Sequence, residues 1–311
     1  MSNLPGGVWE DVSCPLCTAG TPAEGFLSCG DRLKEPKLRN YSLISCNGCG
    51  LIFLSPRPPL ELTPSHHLQE DYDPFISFSK KRRLAERLYI TARNWAGGWK
   101  RRLVLRLVRK GSRVLDVGCG TGEFLAAIQK TMITTGLEPE PVAGEWGRRH
   151  YDLDIRTGTL ESVALPAESF DLITLWHALE HIPEPLEAIR QIRTLLAAHG
   201  KALIALPNIS SFDAGFYHCE WVALDAPRHL WHFTPKTIEI LADRAGLKCI
   251  ASGILPLDHF YNVLLSEGIH LKSSPQHRVW SPFRMGYALT GSLVKAVVAG
   301  NGSGMYYILQ K

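Results

Sequence analysis

From residue 113 onward, short apolar runs alternate with stretches whose apolar residues recur at helical spacing. Such runs predict strands at Arg113–Val117, Ile133–Leu137, Asp154–Thr157, Phe170–Leu175, Ala202–Leu206, Lys248–Ser252 and Tyr306–Leu309. The stretches between them predict helices at Glu123–Lys130, Val142–His150, Leu186–Leu196 and Ile238–Ala245. Strands and helices in alternation indicate an α/β protein with a doubly wound, Rossmann-like parallel sheet of seven strands. Ligands of such sheets bind at the carboxyl ends of the strands.

The first third of the chain follows other patterns. Residues 1–60 carry paired cysteines, many turn residues and little helical periodicity. Prolines at 56, 58, 59 and 64 form a stiff connector, and residues 75–110 look helical and basic, with Lys80–Arg83 and Lys100–Arg102. We therefore predict a small module at 1–60, a helical connector at 61–110 and an α/β domain at 111–311 with an insertion at about 207–234.

Composition is typical of a soluble globular protein, with 311 residues, 45% hydrophobic, 21% charged and a net charge of +4. The mild charge does not require a nucleic-acid partner. No secretory signal is visible, and no apolar run approaches the roughly 18 residues of a membrane span. Eight cysteines without an export signal indicate thiols or metal ligands, and hence a cytoplasmic protein.

The first strand of this domain ends in a glycine-rich turn, Val114–Gly122, with glycines at 118, 120 and 122. Such a turn brings backbone amides and a helix N-terminus close to a nucleotide-like ligand. The dinucleotide fingerprint needs glycine where this chain has Glu123, and Asp116 suits a ligand ammonium group better than a pyrophosphate. Glu138, at the end of the second strand, suits the two hydroxyls of a ribose.

With this turn, the segments Phe170–Pro185, Gly158–Glu161 and Leu165–Pro166 resemble the ordered motifs of the class I S-adenosylmethionine-dependent methyltransferases. The resemblance implies that Asp116, Gly118 and Gly120 hold the methionyl part, Glu138 the ribose, and Thr159 with Leu160 the adenine. Thr159 stands where many relatives have Asp. Cys119 belongs to the same cofactor-binding turn, and we expect a small packing residue there. An NAD-dependent oxidoreductase is the weaker alternative.

Cys14 and Cys17 form one C-x2-C pair, and Cys46 and Cys49 form a second. Two such pairs on turns predict one structural Zn²⁺ held by four thiolates, because four protein ligands leave no open position for chemistry. Redox pairs are the alternative, and Cys29 is a substitute candidate for one ligand. The block Cys46–Pro58 resembles the zinc-binding ribbon module fused ahead of some bacterial methyltransferases.

Candidate catalytic histidines lie where the acceptor is expected. His177 and His181 follow the fourth strand, beside Trp176, and His229 lies in the insertion. Histidine suits a general base because its unperturbed pKa is near neutrality. The insertion segment Leu224–Thr234 resembles a Pro-Arg-His-Leu element found in members of the superfamily.

Further features are expected on the substrate side, and some of them leave alternatives open. Arg228 either clamps a substrate phosphate or carboxylate or pairs with Asp225, and Trp176 is a substrate-side candidate. Six aromatic residues between Phe212 and Phe233 predict a lid or a substrate wall.

We therefore predict a methyltransferase with S-adenosylmethionine as cofactor, acting on an oxygen or carbon of a small metabolite, a sugar derivative or a lipid-linked intermediate. The alternative is a zinc-ribbon enzyme that binds or modifies RNA. The basic helical region is either a solvated face or a surface for a nucleotide-sugar, a lipid phosphate or RNA. No RNA-module signature accompanies it, so a nucleic-acid partner is not expected.

Overall fold

The computed structural model describes residues 9–17, 21–33, 41–59 and 84–311, with side chains of the first helix described from residue 95 onward. Its strands are β1 (Ala23–Cys29), β2 (Tyr41–Cys46), β3 (Ile52–Leu54), β4 (Arg113–Val117), β5 (Ile133–Glu138), β6 (Ile155–Thr157), β7 (Phe170–Trp176), β8 (Leu196–Pro207), β9 (Trp231–His232), β10 (Lys248–Ile254) and β11 (Gly304–Gln310). Its α-helices are α1 (Leu84–Leu107), α2 (Glu123–Ile128), α3 (Pro141–Tyr151), α4 (Pro185–Leu195), α5 (Phe212–Tyr217), α6 (Pro235–Arg244), α7 (Asp258–Ser273) and α8 (Ser281–Ala299).

Seven of these strands form the main sheet, in the order β10-β11-β8-β7-β4-β5-β6. The five strands from β8 to β6 run parallel, whereas β11 is antiparallel to both β8 and β10. The predicted α/β class and the seven strands are confirmed, but the sheet is mixed at one edge. Strand order reverses between β4 and β7, and such a switch point opens a crevice at the carboxyl ends of the two strands.

Alternating side chains of the central strands fill two apolar layers. Val114 and Leu172 point toward α1 and α2, while Leu115 and Ile173 join the layer that contains α4 and α6. Because helices cover both faces, the central strands are apolar at almost every position. Asp116 and Thr174 are the buried polar exceptions in β4 and β7.

A second sheet joins the amino-terminal module to the α/β domain. Strands β1, β2 and β3 are antiparallel, and β9 from the insertion pairs with β3, so that Phe53 lies opposite Trp231. The rings of Phe53 and Trp231 lie 5.7 Å apart between centroids. The module also shares the apolar layer of α4 and α6. A strand from the insertion therefore completes the sheet of the predicted module.

Buried charges reinforce this junction. The guanidinium of Arg228 is fully buried, and its Nη2 donates to Asp31 Oδ1 (2.7 Å) and to Asp225 Oδ1 (2.6 Å). Arg32 Nε donates to the same oxygen of Asp225 (2.6 Å). These two arginines hold the pKa of Asp225 far below its usual range, although burial opposes the shift. Arg228 thus pairs with Asp225, as in one of the two alternatives, and its position contradicts the substrate clamp.

The second half of the insertion packs as a wall of the protein. Every residue from Val222 to Phe233 is buried, and Trp221 Nε1 donates to the buried carboxylate of Asp213 (2.8 Å). Helices α7 and α8, between β10 and β11, extend the same side of the domain.

Pro64 and the basic segment Lys80–Arg83 lie outside the described residues. Among the helices in the described ranges, none combines the length and the apolar character that a membrane crossing requires.

Replacing Arg228 with Met is expected to lower the free energy of unfolding by about 3–5 kcal/mol, since it leaves buried carboxylates without their partner. Urea denaturation at pH 7 measures this loss. Arg190→Met is the matched control, because Arg190 pairs with Glu187 at the surface, where we expect a change within about 0.5 kcal/mol. Unchanged stability in Arg228→Met would contradict a junction role.

Candidate active site

A cleft of roughly 1300 Å³ opens at the carboxyl ends of β4, β5, β6 and β7. It includes residues of the glycine-rich turn, Glu138, Thr159 and Leu160, and reaches His177, His181 and His229 on the opposite side. The predicted cofactor and catalytic residues therefore meet in one cavity. Its volume is ample for a nucleoside cofactor together with a small acceptor.

The turn after β4 needs glycine for its backbone conformation. Gly118 and Gly120 have φ of 71° and 55°, in the left-handed region. A Cβ on Gly118 would lie 2.9 Å from the Cβ of Ala178, whereas one on Gly120 would meet no atom within 4 Å. Gly120 therefore leaves open space on the cleft side, as a close approach of a ligand requires.

The amides of this turn are used inside the protein. The N–H groups of Gly118 and Cys119 donate to the carbonyl of Leu137, and that of Gly120 donates to Glu138 Oε2 (2.7 Å). These hydrogen bonds fix the turn against β5 and hold the Glu138 carboxylate in place.

Asp116 is the buried acid of the turn. Its Oδ1 accepts a hydrogen bond from Thr174 Oγ1 (2.6 Å), and its carboxylate lines the cleft. Burial raises the pKa of Asp116 to about 7, although Thr174 and Lys100 oppose the shift. A ligand ammonium group fits this environment, because it compensates a desolvated carboxylate.

Glu138 ends β5, where the two hydroxyls of a ribose are expected. Its Oε1 accepts from the N–H of Glu140 (2.9 Å), and its Oε2 accepts from Gly120. Burial raises its pKa, while these two amides oppose the shift. Each carboxylate oxygen has further acceptor capacity, so the oriented group suits a ligand diol.

The far end of the cleft carries the residues expected near adenine. Gly158, Thr159 and Leu160 follow β6 and line the cleft. The backbone N–H of Thr159 donates to Ser162 Oγ (2.8 Å), and its hydroxyl lies 3.3 Å from the same oxygen. Ser162 therefore holds the Thr159 side chain in a local turn.

Trp176 lies where the acceptor side begins. Its ring packs edge-on against Phe124, with centroids 5.3 Å apart, and the Nζ of Lys100 lies 4.4 Å from its ring centroid. Lys100, from the basic stretch of α1, thus lines the cleft, whereas Arg101 and Arg102 are exposed. Sequence periodicity alone does not show that Lys100 faces the cleft while Arg101 and Arg102 face solvent.

His181 and His229 face each other in the cleft with their rings edge-on and centroids 4.7 Å apart. His181 Nδ1 lies 2.9 Å from the carbonyl oxygen of Arg228, and His229 Nδ1 lies 2.8 Å from that of Ala223. A carbonyl only accepts, so in each neutral ring the proton is assigned to Nδ1 and Nε2 is the basic nitrogen. Burial, with His181 nearby, lowers the pKa of His229 to about 4.

The carboxylate of Glu180 is buried beside these rings. Among the described residues, neither of its oxygens has a hydrogen-bond partner, and only 1% of the residue is exposed. Burial would raise its pKa, but the neighbouring histidines 177, 229 and 181 outweigh it and lower the pKa to about 2. Three possible ligand atoms, one each from Glu180, His181 and His229, lie within 4.8 Å of one another. A proton or a cation could be shared at this distance.

His177 differs from the other two histidines because two carboxylates flank it. Its Nδ1 lies 3.6 Å from Glu180 Oε1, and its Nε2 lies 3.5 Å from Asp258 Oδ2. Desolvation lowers its pKa, but these two acids more than offset it, and the net shift is upward. This upward shift distinguishes His177 from His229, whose pKa is lowered.

Packing determines the positions of two further side chains, Cys119 and His232. Cys119 lies against β5, where a Cβ on Gly136 would approach its Sγ to 2.6 Å, and burial raises its thiol pKa. This fits the expected packing role. His232, in β9, is buried with its pKa lowered to about 3 by desolvation and by His229.

The thiols of Cys14, Cys17, Cys46 and Cys49 form a second cluster, away from the cleft. Their sulfur atoms lie within 4.8 Å of one another, and Cys14 Sγ is 3.5 Å from Cys49 Sγ. Tetrahedral zinc–thiolate bonds of 2.3 Å would separate the sulfurs by about 3.8 Å, so the set fits one Zn²⁺. Cys29 is buried in β1 and is not a member of this cluster.

The family model for the methyltransferase domain matches residues 90–252 of this chain, more than half of its length. The chain belongs to this family. It is 31% identical over 156 residues to the ubiquinone biosynthesis O-methyltransferase of Actinobacillus pleuropneumoniae serotype 5b, covering 45% of this chain and 67% of that protein. It is 33% identical over 139 residues to the protein of the same name from Xanthomonas axonopodis pv. citri, covering 41% of this chain and 57% of that protein.

Among solved structures, a SAM-dependent methyltransferase from Archaeoglobus fulgidus superposes with a TM-score of 0.47 at 18% identity, covering 70% of this chain and 94% of that one. The family match confirms the class I methyltransferase and its S-adenosylmethionine dependence predicted from the glycine-rich turn. The matched range contains every predicted residue of the cofactor site and all three candidate histidines. The four-cysteine module lies outside it.

Sequence reasoning did not assign a role to Glu180, Lys100 or Asp258. Glu180 precedes His181 directly, and a carboxyl group beside a candidate base was a usable signal. Asp258 opens α7, more than 70 residues after His177, and no spacing rule joins the two. Only the return of the chain between β10 and β11 brings Asp258 to the cleft.

The affinity for S-adenosylhomocysteine is expected to fall when the pH is lowered from 8 to 6, by up to about tenfold. A carboxyl group whose pKa is raised to about 7 loses its charge in this range, and with it the attraction for the ligand ammonium group. Calorimetry measures the effect. In Asp116→Asn the affinity should be weak and nearly independent of pH, and an unchanged pH profile in this variant would refute the assignment.

Proposed function

We propose that this methyltransferase transfers the methyl group to an oxygen of a small hydroxylated molecule, with His181 and His229 as the proton-accepting pair. Three things support oxygen as the acceptor atom: two histidines whose Nδ1 atoms face carbonyl oxygens, a buried carboxylate beside them, and relatives named as O-methyltransferases. A hydroxyl group must lose its proton on methylation, so a nearby base aids this acceptor. Sugar derivatives and lipid-linked molecules that carry such a hydroxyl remain within the proposed class.

We assign Asp116 to the ammonium group of the cofactor, Glu138 to its ribose, and Thr159 and Leu160 to the adenine, with Gly118, Cys119 and Gly120 forming the turn between them. When bound, S-adenosylmethionine supplies an electrophilic methyl group and its own leaving group. The chain then has to align the acceptor, exclude water and accept one proton. Trp176 and the insertion wall enclose the acceptor side, and Arg228 supports that wall from behind.

The observation that carries the proposal is the buried carboxylate of Glu180 beside the two rings. A buried carboxylate without a hydrogen-bond donor favours a positive charge beside it. When His181 or His229 takes the proton of an acceptor hydroxyl, the resulting imidazolium meets this carboxylate. Glu180 thus acts as a positioning residue that stabilises the protonated base.

Replacing His181 and His229 separately with Ala is expected to lower kcat by at least about tenfold, within the usual range of general base catalysis. Affinity for S-adenosylhomocysteine should change less than about twofold, because neither ring belongs to the cofactor end. Labelled methyl transfer to phenols, nucleotide-sugars and primary amines measures turnover. His199→Ala, an exposed histidine at the start of β8, is the matched control. If both variants keep full activity, or amines are the acceptors, the proposal is wrong.

We further propose that the four-cysteine cluster binds one structural Zn²⁺ and that residues 1–60 form the module around it, joined through 61–110 to the methyltransferase domain at 111–311. The buried position and the four-thiol donor set support this role, since no position of a tetrahedral ion would remain for a substrate. We also propose a cytoplasmic location, since cysteines of exported proteins usually form disulfides and none of the eight does so here.

Elemental analysis should find one zinc per chain, and Cys46→Ser should lose it and lower the melting temperature by more than about 5 °C. The module depends on the ion because it is small and lacks a large core of its own. Cys249→Ser, in β10, is the matched control and should retain the metal. A zinc-free chain with an unchanged melting temperature would exclude the ion.

A further inference from the structure

Helix α8 exposes most of its bulky apolar side chains, although Met285 and Leu289 pack against the core. Its buried positions hold the small residues Ser281, Ala288, Ser292 and Ala296. Its outward positions hold large ones: Phe283 is 72% exposed, Val297 82% and Val298 81%. This order is the reverse of an ordinary surface helix, whose large apolar residues face the core.

The exposed residues form a cluster, which we call the α8 surface. Its members are Val279, Trp280, Phe283, Tyr287, Val294, Val297 and Val298. Neighbouring α7 exposes Phe260 and Leu264 as well. Of the fifteen exposed large hydrophobic side chains in the described residues, ten lie between Phe260 and Val298. Such concentration indicates a contact surface, because scattered exposed residues would need no explanation.

The charged side chains of residues 268–311 are all basic, and one of them, Arg284, pairs with the buried Glu267 of α7. From Gly268 to Lys311 the sequence contains no Asp or Glu but five Lys or Arg. Lys272 and Arg278 are exposed beside the α8 surface, and Trp280 lies at its start with 63% of its area accessible. Aromatic and aliphatic groups flanked by basic side chains are the composition of helices that lie in a bilayer interface.

We propose that the α8 surface docks on an anionic lipid bilayer, with α8 parallel to the membrane plane. The apolar side chains enter the acyl boundary, and Lys272 and Arg278 contact lipid phosphates. A second copy of the chain is the less favourable occupant. In a two-fold contact the same basic patch would face itself, and no acid of this segment would offset the repulsion.

Docking in this way brings the cleft close to the bilayer. Helix α7 lies against α8, and its Asp258, Tyr261 and Asn262 line the cleft. A membrane-resident acceptor would then reach the cleft across a single helix. The docking itself rests on the α8 surface alone and stands whether or not the acceptor atom is oxygen.

Vesicle flotation tests the proposal with the full chain. We expect it to float with vesicles that contain phosphatidylglycerol in phosphatidylcholine, and much less with phosphatidylcholine alone. Phe283→Ser/Val297→Ser should lower the floated fraction by at least about fivefold, because it removes apolar contact area. The matched control is Ile133→Ser/Ile250→Ser, two exposed residues on the main sheet that should leave flotation unchanged.

Further measurements separate the remaining outcomes. Arg278→Gln should weaken binding to anionic vesicles and reduce its sensitivity to salt. Affinity for S-adenosylhomocysteine, measured by calorimetry, should be the same in all variants, which shows that they are folded. No flotation, or equal flotation on both vesicle types, overturns the proposal. Light scattering measures the oligomeric state. A dimer that dissociates in Phe283→Ser/Val297→Ser would also overturn the proposal, because the α8 surface would then bind a second copy of the chain.

Discussion

The buried contacts among Asp31, Arg32, Asp225 and Arg228 determine how the two parts of this protein act together. They lie where the amino-terminal module meets the insertion of the methyltransferase domain. His229 follows Arg228 directly, and the carbonyl of Arg228 receives His181 Nδ1. A shift of this arginine therefore moves both candidate bases. The module is distant from the cofactor end, yet it contributes to the geometry of the acceptor end.

A second constraint is electrostatic. Glu180 is a buried carboxylate, and among the described residues the surrounding histidines lower its pKa. A cleft with a fixed negative charge favours states in which one ring is protonated. The cofactor end has the same need, because the buried carboxylate of Asp116 gains from a cationic ligand. The two ends of the cleft are thus each prepared for one positive charge, the ligand ammonium group and the proton taken from the acceptor.

Local signals in the sequence were sufficient for the strands of the main sheet and for the residues that meet at one end of the cleft. Strand β4, the glycine-rich turn and Glu138 lie within 26 residues of one another, and their chemistry depends on local backbone geometry. The antiparallel course of β11 was not predicted, because periodicity shows that a strand exists but not its direction. The burial of Arg228 was left as one of two alternatives, since its partner Asp31 lies almost 200 residues away. Long-range pairing of this kind leaves no trace in local spacing.

The pairing of β3 with β9 has a consequence for biosynthesis. Phe53 leaves the ribosome 178 residues before its partner Trp231. At ordinary rates of translation this interval lasts roughly 10–35 seconds. During that time the amino-terminal sheet has an unpaired edge, which is a template for pairing with other chains. Early metal capture, or a chaperone over this edge, would protect the nascent chain until the insertion arrives.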